Sequence, residues 1–215
     1  LQNHIDNLVQ LIDQLDLRQI TLLGHDWGGP IGLGAALARP DRFQRFVLFN
    51  TGAFPPPTIP WRIRVCRVPG FGAVAVRGLN LFSRAALHMA VADPRVLSPT
   101  FRAGMLAPYD SWAHRVAVYG FVRDIPPSST HPTWQTLARI EAGLPGLAAA
   151  PYQFIGGMRY WCFTPACLDR LRELIPTAQV LSLEDAGHWV VEEAHERVAT
   201  AVRAFLQSTA TGEPE

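Results

Sequence analysis

The chain is poor in several things. It has 3 cysteines in 215 residues, at positions 66, 162 and 167, irregularly spaced. That excludes a disulfide framework and fits a reducing compartment. Cys162 and Cys167 come without a His/Cys cluster, so they read as small buried hydrophobes rather than metal ligands. No run of 18 apolar residues occurs, and no signal peptide is visible. The expectation is a soluble, cytoplasmic protein with no membrane anchor. Excess charge of one sign is also lacking: 19 basic against 18 acidic residues leave a net charge of +1. No basic patch stands out, so no nucleic acid or anionic membrane partner is implied. There is no internal repeat. What is abundant is apolar: 48% of residues are hydrophobic and 17% charged, enough for one domain with a sizeable core and too apolar for a disordered chain.

The strongest local signal is Leu22-Leu23-Gly24-His25-Asp26-Trp27-Gly28-Gly29. The apolar run over 19–23 predicts a short buried strand that stops at Gly24, and a small-residue helix follows over 29–39. Gly-x-Asp-x-Gly-Gly between them has the form of the strand-to-helix elbow G-x-S-x-G, with an aspartate in the nucleophile position. A carboxylate there can attack an alkyl carbon or a strained ring and give an ester that water then cleaves. The simpler reading is an Asp N-cap. Trp27 offers an indole N–H to a leaving halide or a carboxylate oxygen, or else plain apolar lining. Its backbone N–H lies where an oxyanion would develop.

A second signal comes late in the chain. Asp185-Ala186-Gly187-His188 follows an expected strand over 179–183. A histidine on such a loop can activate the water that cleaves an Asp26 ester. The six other histidines lack that context; His25 reads as structural, its side chain turned away from the nucleophile.

The remaining pattern predicts an α/β chain. Residues 2–16 read as an amphipathic helix with Ile5, Leu8, Ile12 and Leu15 on one face. Strands are expected over 46–50 and 153–155. Proline-rich 54–60 breaks the pattern, and 61–145 is mostly helical. Helices are expected over 165–174 and 192–206, with a frayed tail from Ser208 to Glu215. Strand–helix–strand succession implies a mostly parallel sheet. The core is therefore assigned to 1–54 and 146–215, with an inserted helical cap over 55–145. A chain that opens at Leu1 in mid-helix suggests a fragment with its first strands missing, which would leave Ile20–Leu23 as an apolar sheet edge.

Gly-His-Asp-Trp-Gly-Gly with Asp-Ala-Gly-His resembles the haloalkane dehalogenase family of α/β-hydrolases. The cap sharpens this. Pro60-Trp61-Arg62-Ile63, Val76-Arg77-Gly78-Leu79-Asn80, Leu106-Ala107-Pro108-Tyr109-Asp110-Ser111-Trp112-Ala113 and Phe121-Val122-Arg123-Asp124-Ile125-Pro126 resemble the branch containing the cis-oxetanone (β-lactone) decarboxylases. The resemblance covers about residues 2–206. It implies an α/β-hydrolase fold, Asp26 as nucleophile, His188 as base, Trp27 facing the leaving group, a small apolar substrate, no metal and no organic cofactor. Haloalkane dehalogenation is the neighbouring reading and epoxide hydrolysis the third. The contrasting class is a decayed homologue that keeps only the fold.

Two departures stand against the pattern. The family's early His-Gly-x-Pro loop, which supplies another oxyanion donor, is not in this sequence. The segment Gly157-Met158-Arg159-Tyr160-Trp161 carries Tyr160 where the resemblance implies the catalytic acid. The other place where relatives hold that acid, after the 46–50 strand, reads Asn50-Thr51-Gly52. A phenol could accept a hydrogen bond from His188, but it cannot compensate an imidazolium as a carboxylate does. Oligomeric state leaves no signal.

Overall fold

The structure, a computed structural model, describes residues 1–210. The part of the expected frayed tail from residue 211 onward lies outside the described residues. A helix α1 (Gln2–Gln14) leads into strand β1 (Ile20–His25), helix α2 (Gly28–Ala38) and strand β2 (Phe43–Phe49). Mostly helical chain follows: α3 (Trp61–Cys66), α4 (Phe71–Ala73) running into a π turn (Val74–Gly78), α5 (Leu81–Met89), α6 (Pro99–Leu106), α7 (Val116–Asp124) and α8 (Pro132–Gly143). Then come β3 (Tyr152–Gly157), α9 (Pro165–Leu174), β4 (Gln179–Leu183), α10 (Val190–Glu193) and α11 (His195–Ser208).

The four strands form one sheet in the order β1-β2-β3-β4, every pair parallel. Alternation along β2 explains how it is covered on both faces. Phe46 and Leu48 join one core with α1, α2, α8 and α9, through Ile5, Ile12, Leu33, Leu137 and Leu171. Val47 and Phe49 point the other way, to Leu183, Val190, Val198 and Phe205 of the C-terminal elements. A strand buried on both faces reads as a continuous apolar run. Each such large side chain contributes about 1.5–3 kcal/mol by burial.

Several boundaries differ from the sequence expectation. β1 continues through Gly24 to His25 rather than stopping at the glycine, because Gly24 to His25 still pair with Leu48 and Phe49. β2 starts at Phe43, where Gln44 and Arg45 disguise the strand. α1 ends at Gln14, and Leu15 is exposed rather than on the buried face. The C-terminal helix is broken at Ala194, whose backbone (φ −138°, ψ 38°) is not helical. β1 is an edge of the described sheet, and Leu23 on it is 54% exposed.

Parallel strands place their carboxyl ends at one edge, and loops leaving that edge converge. Here that edge collects Asp26 after β1, Asn50 after β2, Tyr160 after β3 and His188 after β4.

Candidate active site

Asp26 sits between β1 and α2 with φ +51°, a left-handed conformation that costs a non-glycine residue about 1–3 kcal/mol and persists only where neighbours enforce it. Those neighbours are visible. The Asp26 carbonyl accepts from the Thr51 hydroxyl at 2.6 Å and from the Gly29 N–H at 3.1 Å. A Cβ on Gly29 would lie 2.0 Å from the Thr51 oxygen, so glycine is needed for this closure. The N-cap of α2 is Trp27, with no side-chain cap hydrogen bond. Asp26 is therefore not the N-cap residue of α2, and its carboxylate turns to His188.

His188 Nε2 lies 2.9 Å from Asp26 Oδ2. The His188 side chain is 6% exposed and that of Asp26 41%. Burial pushes the Asp26 carboxyl up, but the His188 hydrogen bond, the two nearby imidazoles and the Trp27 backbone N–H outweigh it, and the group is held below the usual aspartate range. It is an anion at neutral pH, and an anion only accepts. The proton on this bond therefore belongs to His188 Nε2.

The loop carrying His188 is fixed from four sides. Its N–H donates to the Ala90 carbonyl at 2.7 Å. The His188 carbonyl accepts from Asn50 Nδ2 at 2.8 Å and from His25 Nε2 at 3.0 Å. Asn50 Nδ2 also reaches the Gly187 carbonyl at 2.7 Å, while its Oδ1 accepts from the Gly157 N–H at 2.9 Å. Glu193 Oε2 accepts from the Gly187 N–H (2.9 Å) and the Ala92 N–H (2.7 Å), joining the loop to the helical insertion.

His25 does not turn away from this centre: its ring lies 4.3 Å from that of His188. Burial, followed by the proximity of His188, lowers its pKa to about 4. Tyr160 makes no hydrogen bond with His188. Its ring stacks on the imidazole at 4.5 Å and 25°, and Phe163 stacks on the same imidazole at 5.5 Å and 12°. His188 Nδ1 is buried and has no hydrogen-bond partner among the described residues. Burial pushes the Tyr160 hydroxyl up, with the Asp26 charge adding to it, so it stays neutral. The Cys162 thiol is pushed up to about 12 by burial and the Asp26 charge. Trp27 leans on Phe121 with ring centroids 5.6 Å apart.

Asn50, His25, Thr51 and Glu193 thus join Asp26, His188, Trp27 and Tyr160. Asn50 and Thr51 stand where the resemblance offers the second place for the acid, but nothing in the sequence shows that they hold the elbow and the His188 loop. Glu193 is not marked at all. No group of three or more His, Cys, Asp or Glu side chains comes together for a metal among the described residues. None of the described helices is long and apolar enough to cross a membrane. A hollow of about 390 Å³ lined by Phe43, Arg45, Leu147 and Pro151 lies at the amino ends of the strands, remote from Asp26.

A parallel sheet with an acidic elbow after one strand and a buried histidine on the loop after the last is hydrolase architecture of the α/β type. Comparison with known proteins agrees. The alpha/beta hydrolase fold family matches residues 2–195. The cis-3-alkyl-4-alkyloxetan-2-one decarboxylase of Shewanella oneidensis is 38% identical over 215 residues, covering 98% of this chain and 67% of that protein. Haloalkane dehalogenase 2 of Mycobacterium tuberculosis is 27% identical over 208 residues, covering 94% of this chain and 69% of its own length. The crystal structure of the haloalkane dehalogenase DatA from Agrobacterium tumefaciens superposes with a TM-score of 0.83 at 24% identity, over 96% of this chain and 74% of that one. The chain belongs to the α/β-hydrolase family, in the haloalkane dehalogenase-like group that includes the oxetanone decarboxylases.

Proposed function

We propose that Asp26 is the nucleophile of a hydrolase-type reaction on a small apolar substrate, and that His188 serves the breakdown of the resulting ester. The observation that carries this reading is the Asp26 carboxylate on a left-handed elbow, 2.9 Å from a buried loop histidine. An Asp26 oxygen attacks a saturated carbon. In a haloalkane the carbon–halogen bond breaks and the halide leaves with the electron pair, facing the Trp27 indole. In a β-lactone the ring C–O bond breaks and leaves a carboxylate on the adduct; that carboxylate is lost as CO2, its electron pair forms the alkene, and the Asp26 O–C bond breaks to return the Asp26 carboxylate, with no water consumed. Neither attack moves a proton. The helical segment over 55–145 acts as the cap over this centre.

Of the two substrate classes we favour the β-lactone. The 38% relative is a decarboxylase of dialkyl oxetanones, and the cap motifs resemble that branch. The test compares alkene release from a cis-dialkyl β-lactone with halide release from short haloalkanes. Alkene release alone supports the β-lactone reading; halide release alone moves the assignment to dehalogenation. A second reading, a decayed homologue without chemistry, is favoured by one observation, the unpartnered His188 Nδ1. It predicts neither product and no covalent adduct.

A further inference from the structure

The near-zero net charge of the chain conceals an uneven distribution. Residues 55–145 carry 10 arginines against 4 acidic residues, so the cap segment holds +6. The rest of the chain carries 9 arginines against 14 acidic residues, or −5. Between Asp41 and Asp93 no acidic residue occurs. That stretch contains α3, α4, the π turn and α5, which carry five arginines at 62, 64, 67, 77 and 84. None of the five is in an ion pair among the described residues. Arg67 and Arg77 donate to backbone carbonyls, and Arg62 lies over the Trp61 and Trp161 rings. Those partners carry no charge.

The same stretch exposes large apolar side chains. Trp61 is 69% exposed, Leu79 60% and Phe71 56%, with Val65, Val68 and Val74 exposed beside them. Close packing joins these elements. A Cβ on Gly72 would meet the Cys66 carbonyl oxygen at 2.1 Å, which sets α4 against the end of α3. A Cβ on Gly78 would lie 3.7 Å from both Val74 and Trp112. Trp112 is itself exposed and carries the Arg77 guanidinium 4.5 Å above its ring. A joined apolar surface of this kind marks a protein or membrane interaction site. Exposed aromatic and aliphatic side chains beside arginines, with no acid among them, suit the headgroup region of an anionic bilayer. Trp and Arg both keep one polar end wet while burying an apolar body. The acidic remainder of the molecule is repelled by the same surface, which turns the cap towards it.

We infer that the cap face formed by α3, α4, the π turn and the start of α5 docks on an anionic lipid bilayer. Nucleic acid would engage the arginines and leave Val65, Val68, Val74 and Leu79 in water, so it fits the face less well. A second copy of this chain, whose core is acidic, is the competing occupant. Docking does not depend on Asp26 being the nucleophile. It does place the cap where an apolar molecule of either substrate class dissolves.

The experiment sediments the purified protein with vesicles of phosphatidylcholine alone, or of phosphatidylcholine mixed with phosphatidylglycerol. It is run at ionic strengths of about 0.1 and about 1 M, between which the Debye length falls from about 10 to about 3 Å. At the lower salt, binding to the mixed vesicles is expected to be at least about tenfold tighter than to phosphatidylcholine, and most of that difference should vanish at the higher. Arg64 and Arg84 are exposed and outside every ion pair. Each arginine near an anionic surface is worth about fivefold, so Arg64→Gln with Arg84→Gln should weaken binding about 25-fold. Trp61→Ser with Phe71→Ser should weaken it at least about tenfold while keeping its salt dependence. Arg18→Gln with Arg172→Gln, exposed positions of the acidic core, should change it less than about twofold. Thermal melting of each variant confirms that the fold is kept. Equal binding to both vesicle types, equal loss in core and cap variants, or no vesicle binding overturns the inference. In the last case, salt-dependent self-association in gel filtration would assign the cap face to a second copy.

Discussion

The Tyr160 ring lies against the His188 imidazole with centroids 4.5 Å apart and planes 25° apart. Stacking fills the space beside the histidine without offering an oxygen to Nδ1. It holds the ring in place, with a pair of this kind worth about 0.5–1.5 kcal/mol beyond area burial. Orientation and charge compensation, which one carboxylate can supply together, are separated here: aromatic packing supplies the first, and the charge facing the imidazole is that of Asp26 at Nε2, which an ester on Asp26 would remove, while Nδ1 has no hydrogen-bond partner among the described residues.

Asn50 is placed where a substituted acid looks as if it could restore that compensation. The hydrogen bonds predict the opposite. Its Nδ2 donates to the carbonyls of Gly187 and His188, so Asn50→Asp would set a carboxylate against two carbonyl oxygens. The backbone at φ +31° suits Asp as well as Asn, so the loss is electrostatic. Asn50→Asp is expected to destabilise the fold by about 2–4 kcal/mol without raising ester hydrolysis. Urea unfolding and adduct lifetime check this; a variant as stable as the wild type would show that the amide does not hold the loop.

Glycine at 157 is required by close approach. A Cβ there would meet the Gly187 carbonyl oxygen at 1.9 Å and the Ala186 oxygen at 2.7 Å, both backbone atoms of the His188 loop. Gly157→Ala is expected to cost about 2–3 kcal/mol and to displace His188 from Asp26. Gly28, at the start of α2, has nothing within 4 Å of such an atom, so Gly28→Ala is expected to be neutral or stabilising by up to about 1 kcal/mol. Denaturant midpoints of the two variants, measured side by side, test the contrast.

His25 makes stability depend on pH. Its pKa falls from 6.5 to about 4 in the folded protein, first through burial and then through His188. The unfolded chain binds a proton at this residue as pH falls through about 6.5, and the folded chain does not until about 4. Stability from this group is therefore full above pH 6.5 and is lost on the way down to pH 4, by on the order of 2–3 kcal/mol. Asp26 and the His188 carbonyl face the same ring, and Asp26 stays charged across that window. Unfolding free energies between pH 7.5 and 4.5 should show the slope, and His25→Gln should flatten it. Equal slopes in the two proteins would assign the effect elsewhere.

Much of this was legible in the sequence for physical reasons. An apolar run, small residues around an acid and a small-residue helix define β1, the elbow and α2 through local sterics alone. His188 is readable because a strand precedes it and a helix follows. The unreadable parts depend on distant partners. Asn50 bonds to residues 107 to 138 positions away, and nothing local marks that. His25 looks incidental until the fold sets the β4 loop against it. The stacking of Tyr160 on His188 is a matter of ring orientation, which no residue pattern encodes. β2 hides its first residues because Gln44 and Arg45 break the apolar run at the sheet's amino end.

Tyr160→Asp is the decisive repair. The residue follows β3 at the carboxyl edge of the sheet, in direct contact with His188. An aspartate there removes a neutral ring and places a carboxylate beside a buried Nδ1 that has no partner. The Nδ1–H tautomer then gains an acceptor, Nε2 is freed to take a proton from water, and the imidazolium that follows is compensated. Capture by Asp26 needs none of this, so the alkylation rate should stay within about twofold of the wild type, a difference of at most about 0.4 kcal/mol in barrier. Ester hydrolysis should accelerate by at least about tenfold, or about 1.4 kcal/mol of barrier. Loss of the ring stack works against this by loosening His188, and Tyr160→Phe measures that separately: it keeps the stack and should leave hydrolysis unchanged. Single-turnover kinetics, following adduct mass after the reagent is removed, separate the two steps. If the aspartate variant holds its ester as long as the wild type does, the compensating charge for His188 has to come from a position other than 160.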